Sequence, residues 1–136
     1  MQAIVGFAPV TDFEYELPIR GGLSKSLQGL LDRPQAVTAA ALAILREMAP
    51  INHVKPGLPP FLLVQGEADK TVPVEESRNF AAKLRASGVP CDLVVIPGAP
   101  HRLLSWDQCD PHYADTVITW LRDVLGGTPT SASALR

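Results

Sequence analysis

Cysteine is scarce. Cys91 and Cys109 are the only two, too few for a disulfide framework and without the paired spacing of a zinc site. The strand that begins near Cys91 would alone hold them roughly 15–20 Å apart, so they read as two unpaired thiols. Neither sign of charge dominates: 12 Lys and Arg stand against 14 Asp and Glu, the net charge is -2, and the basic residues are scattered. That removes the electrostatic footprint a nucleic-acid surface requires. Apolar runs such as 61–64 and 93–96 are strand-sized, and none approaches the roughly 20 residues that span a bilayer. The opening Met-Gln-Ala-Ile-Val-Gly-Phe has no basic start and no long apolar stretch, so it is not a signal peptide. It enters a strand pattern at once. We read this abruptness as the mark of a chain cut, or begun at an internal methionine, which leaves the compartment of the parent protein unknown.

What is present is an ordinary globular composition, with 46% of the 136 residues hydrophobic, enough for one core. Residues 3–8 form a short apolar run ended by Pro9, and 61–64 and 92–96 form two more; all three read as strands buried on both faces. From 13 to 33 the pattern is irregular apart from a short helix around 24–31, and it reads as a cap or excursion. Pro34 suits a first helical turn, after which Val37, Ala40, Ala41, Ile44, Leu45 and Met48 recur at helical spacing. Pro50, Pro56, Pro59 and Pro60 then mark an extended connection back to the core.

Pro73 with Glu75 and Glu76 opens a helix whose acidic first turn suits the helix dipole, and Gly88 closes it. Asp110 as cap and Pro111 in the first turn open a last helix, with an apolar stripe of Ala114, Val117, Ile118, Leu121, Val124 and Leu125. From 126 to 136 the residues are small and polar, as in a disordered tail. Continuous apolar strands alternating with helices indicate an α/β protein with a parallel sheet covered on both sides. Three strands alone leave an apolar edge, so the isolated chain is expected to self-associate through it.

In such sheets the chemistry collects beyond the carboxyl ends of the strands. Two segments sit there. Gln65-Gly66-Glu67-Ala68-Asp69-Lys70-Thr71-Val72-Pro73 follows the second strand, and Pro97-Gly98-Ala99-Pro100-His101 follows the third. Each places a titratable side chain on a turn. A lone turn aspartate or loop histidine is usually structural. Neighbouring strand ends, however, can bring Asp69 and His101 together as the acid and base of a hydrolytic triad.

Together the segments resemble the α/β-hydrolase superfamily, in particular esterases that end in a strand, a G-x-x-D-x-x-V-P loop, a helix, a strand and a histidine loop. Gly66 to Pro73 matches the acid loop, Pro97 to His101 matches the histidine loop, and the order Asp then His follows the order of the family. Upstream, Phe7-Ala8-Pro9-Val10-Thr11-Asp12-Phe13 looks like the strand and loop entering a cap, and Ala49-Pro50-Ile51-Asn52 like the return from one. The resemblance implies the C-terminal part of an α/β-hydrolase fold over residues 1–125, with a partial cap at about 13–56. It also implies Asp69 and His101 as catalytic residues, with Glu67 the rival acid.

Two departures are small: Gln65 stands where relatives often have histidine, and Pro100 replaces a commoner glycine. The third is larger. No Gly-x-Ser-x-Gly elbow occurs, and the nearest segment, Gly22-Leu23-Ser24-Lys25-Ser26, lacks the second glycine and a preceding strand. No oxyanion-hole segment resembling His-Gly-Gly-Gly is present either. His53 and His112 have no spacing that suggests a metal, and Asp12 and Asp107 read as loop or cap residues, so no cofactor and no metal is expected.

The resemblance therefore implies the C-terminal portion of a serine esterase that cleaves small-molecule carboxylic esters, acetylated or feruloylated sugars among them, with the chain inactive by itself. A peptidase of the prolyl-oligopeptidase type and a non-catalytic remnant are the alternatives. Neither nucleic acid nor a membrane is an expected partner.

Overall fold

A computed structural model describes residues 2–31 and 36–126. In chain order the elements are β1 (Ile4–Phe7), α1 (Phe13–Arg20), α2 (Lys25–Leu31), α3 (Ala39–Met48), β2 (Phe61–Gly66), α4 (Val74–Ala86), β3 (Cys91–Ile96), a single turn α5 (Trp106–Cys109) and α6 (Tyr113–Leu125). The chain divides into two compact units, one of Met1–Pro9 with Val54–Arg136 and the other of Val10–His53.

The first unit is a parallel sheet of order β1-β2-β3, with Ile4 opposite Phe61 and Phe61 opposite Cys91. Side chains alternate across a strand, and β2 uses both faces. Leu62 and Val64 enter a core with Ile96 of β3, Trp106 of α5, and Val117 and Trp120 of α6. On the other face Phe61 meets Phe80 of α4 edge-on, with ring centroids 5.7 Å apart. Every residue of β2 is buried. The expectation that all three strands are buried on both faces fails for β1 and β3, which are largely half-buried because each is paired on one side among the described residues.

In the second unit, α1 was not anticipated. Pro18 reads as a breaker, yet it removes one amide donor in a helix that has compensation at its start. Asp12 Oδ1 accepts from the amides of Glu14 and Tyr15, each at 3.1 Å, a helix N-cap. Glu14 binds Arg46 of α3 at 2.8 Å, and buried Glu16 holds Arg20 through two contacts of 2.9 Å. Leu23, Leu27, Leu31, Ala41 and Leu45 form the core of this unit.

Two helix boundaries also shift. α3 begins at Ala39, with Thr38 Oγ1 capping Ala41 at 3.1 Å, so Val37 precedes the helix and Pro34 lies outside the described residues. Of the expected apolar stripe only Ala41 and Leu45 are buried, while Val37, Ile44 and Met48 are exposed. α6 begins at Tyr113 rather than Pro111, because Asp110 ends α5 and accepts from the amide of His112 at 2.9 Å. Its inward face is Val117 and Trp120, with Leu121 and Val124 beside them; Ile118 and Leu125 are exposed. The tail expected at 126–136 falls, beyond Gly126, outside the described residues.

Candidate active site

β2 and β3 are adjacent and parallel, so the loops at their carboxyl ends meet. They are stitched together by the Glu67 amide donating to Ile96 O at 3.0 Å and the Ala68 amide donating to Ala99 O at 3.0 Å. The exposed Glu67 carboxylate adds a third link, accepting from the Gly98 amide at 3.1 Å. Gly98 has φ +66°, a left-handed conformation that costs glycine nothing, and this turn carries the chain over the acid loop.

This frame brings Asp69 and His101 together. Asp69 Oδ2 lies 2.8 Å from His101 Nδ1. The rival carboxylate, Glu67, is committed to Gly98. Asp69 accepts from three further donors: the amides of Thr71 at 2.8 Å and Val72 at 2.9 Å on Oδ1, and Gln65 Nε2 at 2.8 Å on Oδ2. With donors on both oxygens, Asp69 serves as an acceptor throughout. The proton in the contact with His101 is therefore assigned to Nδ1. Nε2 is left as the basic nitrogen of a side chain that is 43% exposed, while the Asp69 side chain is fully buried.

Sequence reasoning missed two supports of this pair. Gln65 was noted only as a departure; in the fold it is completely buried beside Asp69. Trp106, also completely buried, donates its indole N–H to Pro100 O at 2.6 Å and so anchors the residue before His101. No local signal connects an indole six positions downstream to that carbonyl.

The remaining candidates have other employment. Ser24 Oγ accepts from the Leu27 amide at 3.2 Å and caps α2. His53 Nε2 contacts the Glu47 carbonyl, and His112 lies 3.6 Å from Asp115. Among the described residues no cluster of three or more His, Cys, Asp or Glu could hold a metal. Cys91 opens β3, at the end of the strand away from His101, and burial pushes its thiol up to about 11, which keeps it protonated and a poor nucleophile near neutrality. Among the described residues His101 has no hydrogen bond to a hydroxyl or thiol.

Similarity to known proteins converges on hydrolases. The family model described as "Prolyl oligopeptidase family" matches residues 34–128. Esterase LipC of Mycobacterium tuberculosis is 39% identical over 59 residues, 43% of this chain and 15% of LipC. The acylamino-acid-releasing enzyme of Mus musculus is 31% identical over 88 residues, 62% of this chain and 12% of that enzyme. Among solved structures, the acetyl ester-xyloside bifunctional hydrolase of Caldicellulosiruptor lactoaceticus superposes with a TM-score of 0.72 at 24% identity, over 93% of this chain and 43% of that one. The chain thus spans a small part of its curated relatives and under half of the solved structure.

Proposed function

Because the chain belongs to the prolyl oligopeptidase family, with an α/β-hydrolase fold and esterase relatives, we propose that it supplies the acid and base of a serine hydrolase that cleaves carboxylic esters. The observation that carries this reading is the contact of 2.8 Å between Asp69 Oδ2 and His101 Nδ1, with Nε2 left available on an exposed face. In this reading His101 Nε2 takes the proton of the attacking serine as the acyl-enzyme forms and returns it to the leaving alcohol. Asp69 fixes the tautomer and stabilises the imidazolium that forms between the two transfers.

The nucleophile belongs to polypeptide other than these 136 residues, since no serine here stands in a glycine-flanked elbow. Alone, the chain binds no acyl group covalently. A fluorophosphonate probe, which captures activated serines, is expected to leave the purified chain unlabelled and to label a polypeptide that joins it to an elbow-bearing segment. Labelling of the chain itself would overturn the assignment of the nucleophile.

The similarity to an acylamino-acid-releasing enzyme supports a second reading, a peptidase using the same acid and base. Side-by-side turnover of an aryl acetate and of an N-acylated peptide by the joined polypeptide separates the two. Preference for the peptide would replace the esterase reading while leaving the roles of Asp69 and His101 intact.

A further inference from the structure

Gln65 is an uncharged side chain that reaches into the Asp69–His101 pair. It sits at the carboxyl end of β2, wholly buried, and all its bonding capacity toward that pair is spoken for. Nε2 donates to Asp69 Oδ2 at 2.8 Å and to Val72 O at 3.1 Å, and Oε1 accepts from Ser77 Oγ of α4 at 3.0 Å. The amide has only one acceptable orientation. Rotated by half a turn, its oxygen would face the Asp69 carboxylate and the Val72 carbonyl, acceptor against acceptor. The hydroxyl of Ser77, itself buried, donates to the oxygen on the far side and completes the amide's seat.

From this geometry we infer that Gln65 is a positioning residue that moderates the pull of Asp69 on the proton of His101. The inference rests on the acid–base reading above. Gln65 and His101 donate to the same oxygen, Oδ2. A second donor on that oxygen draws off part of the negative charge that stabilises a protonated imidazole. A catalytic base must also release its proton, so a carboxylate that holds the imidazolium too firmly slows the second half of the cycle. Leucine, similar in size, removes the donor and leaves Oδ1 pinned by the amides of Thr71 and Val72.

Other charged groups occupy the surrounding elements: Glu67 and Lys70 on the acid loop, Arg102 on the histidine loop, Glu76 on α4 and Asp107 on α5. Among the described residues only Asp69 bonds His101, and the variants below leave all these charges unchanged except where Asp69 itself is replaced.

The test needs no nucleophile. Diethyl pyrocarbonate modifies unprotonated imidazole, so the pH dependence of its rate at each histidine, read by peptide mass spectrometry, reports how firmly that ring holds its proton. His112, on an exposed turn, serves as the reference within the same full-length chain. Gln65→Leu is expected to raise the midpoint at His101 by about half a pH unit or more, roughly a threefold slower reaction on the rising limb, with His112 unmoved. Ser77→Ala, which keeps the amide and its orientation but removes the bond that seats it, loosens the contact with Oδ2 and shifts the midpoint in the same direction by less. It carries the test if Gln65→Leu does not fold.

An unchanged or lowered midpoint in both Gln65→Leu and Ser77→Ala overturns the inference, and a change in Tm alone marks Gln65 as merely structural. Asp69→Asn separates this failure from that of the underlying reading. It is expected to lower the midpoint at His101, and if it does not, the Asp69–His101 pairing itself is wrong.

Discussion

Gly66 and Ala99 approach so closely that a Cβ on Gly66 would lie 2.3 Å from the Ala99 carbonyl oxygen, and 2.9 Å from that of Pro100. This contact is backbone against backbone, so no side chain can swing away to relieve it. The glycine of the acid loop is there to let the histidine loop descend onto it. Gly66→Ala is therefore expected to destabilise the fold by on the order of 2–4 kcal/mol, the range of severe overpacking. Urea denaturation followed by circular dichroism gives the value, and a loss below about 0.5 kcal/mol would show that the loops are not packed as described.

Trp106 holds the same histidine loop from below. In Trp106→Phe the aromatic packing against Phe7 and Tyr113 is largely kept, but the bond to Pro100 O is lost. The expected cost is about 1–2 kcal/mol, with faster amide exchange along the histidine loop. Hydrogen-exchange mass spectrometry that found the loop as protected as before would remove Trp106 from the set of supports.

The buried thiol of Cys91 makes stability depend on pH at the alkaline end. Its folded value is raised to about 11, chiefly by burial, so the folded state keeps a proton that the unfolded chain releases near 9. The contribution is fully present below about pH 9 and is lost as pH rises toward 11, by roughly 2–3 kcal/mol across that window. Cys91→Val is expected to flatten that decline. A thiol reagent at pH 8 should modify the exposed Cys109 and spare Cys91 until the chain unfolds. Equal rates at both cysteines would contradict the burial of Cys91.

Asp12 caps α1 with two backbone contacts, so Asp12→Ala is expected to cost about 1 kcal/mol and to lower helical signal from the Val10–His53 unit. An unaltered unfolding curve would argue that α1 does not depend on its cap.

The sequence was most informative where geometry is local. Runs of apolar residues marked all three strands, and Asp69 and His101 stood out because each follows a strand within a short turn rich in Gly and Pro. Helix α1 was hidden because Pro18 carries a local message, break here, that the Asp12 cap and the Glu16–Arg20 pair outweigh. The exposed faces of Ile44 and Ile118 were unreadable for another reason: periodicity tells which residues share a helix face, not how wide the buried stripe is. Gln65 and Trp106 were legible only as residues, since their partners, Ser77 and Pro100, come from elements brought close by the fold.

In the proposed reaction Asp69 and His101 act together as acid and base. Ester turnover by a polypeptide joining these residues to an elbow-bearing segment measures this, with His101→Ala and Asp69→Asn assayed beside the parent on an aryl acetate. His101→Ala is expected to lose roughly 10⁶-fold in kcat with little change in Tm, and Asp69→Asn roughly 10⁴-fold. Hydrolysis by His101→Ala at the parent rate would contradict these roles.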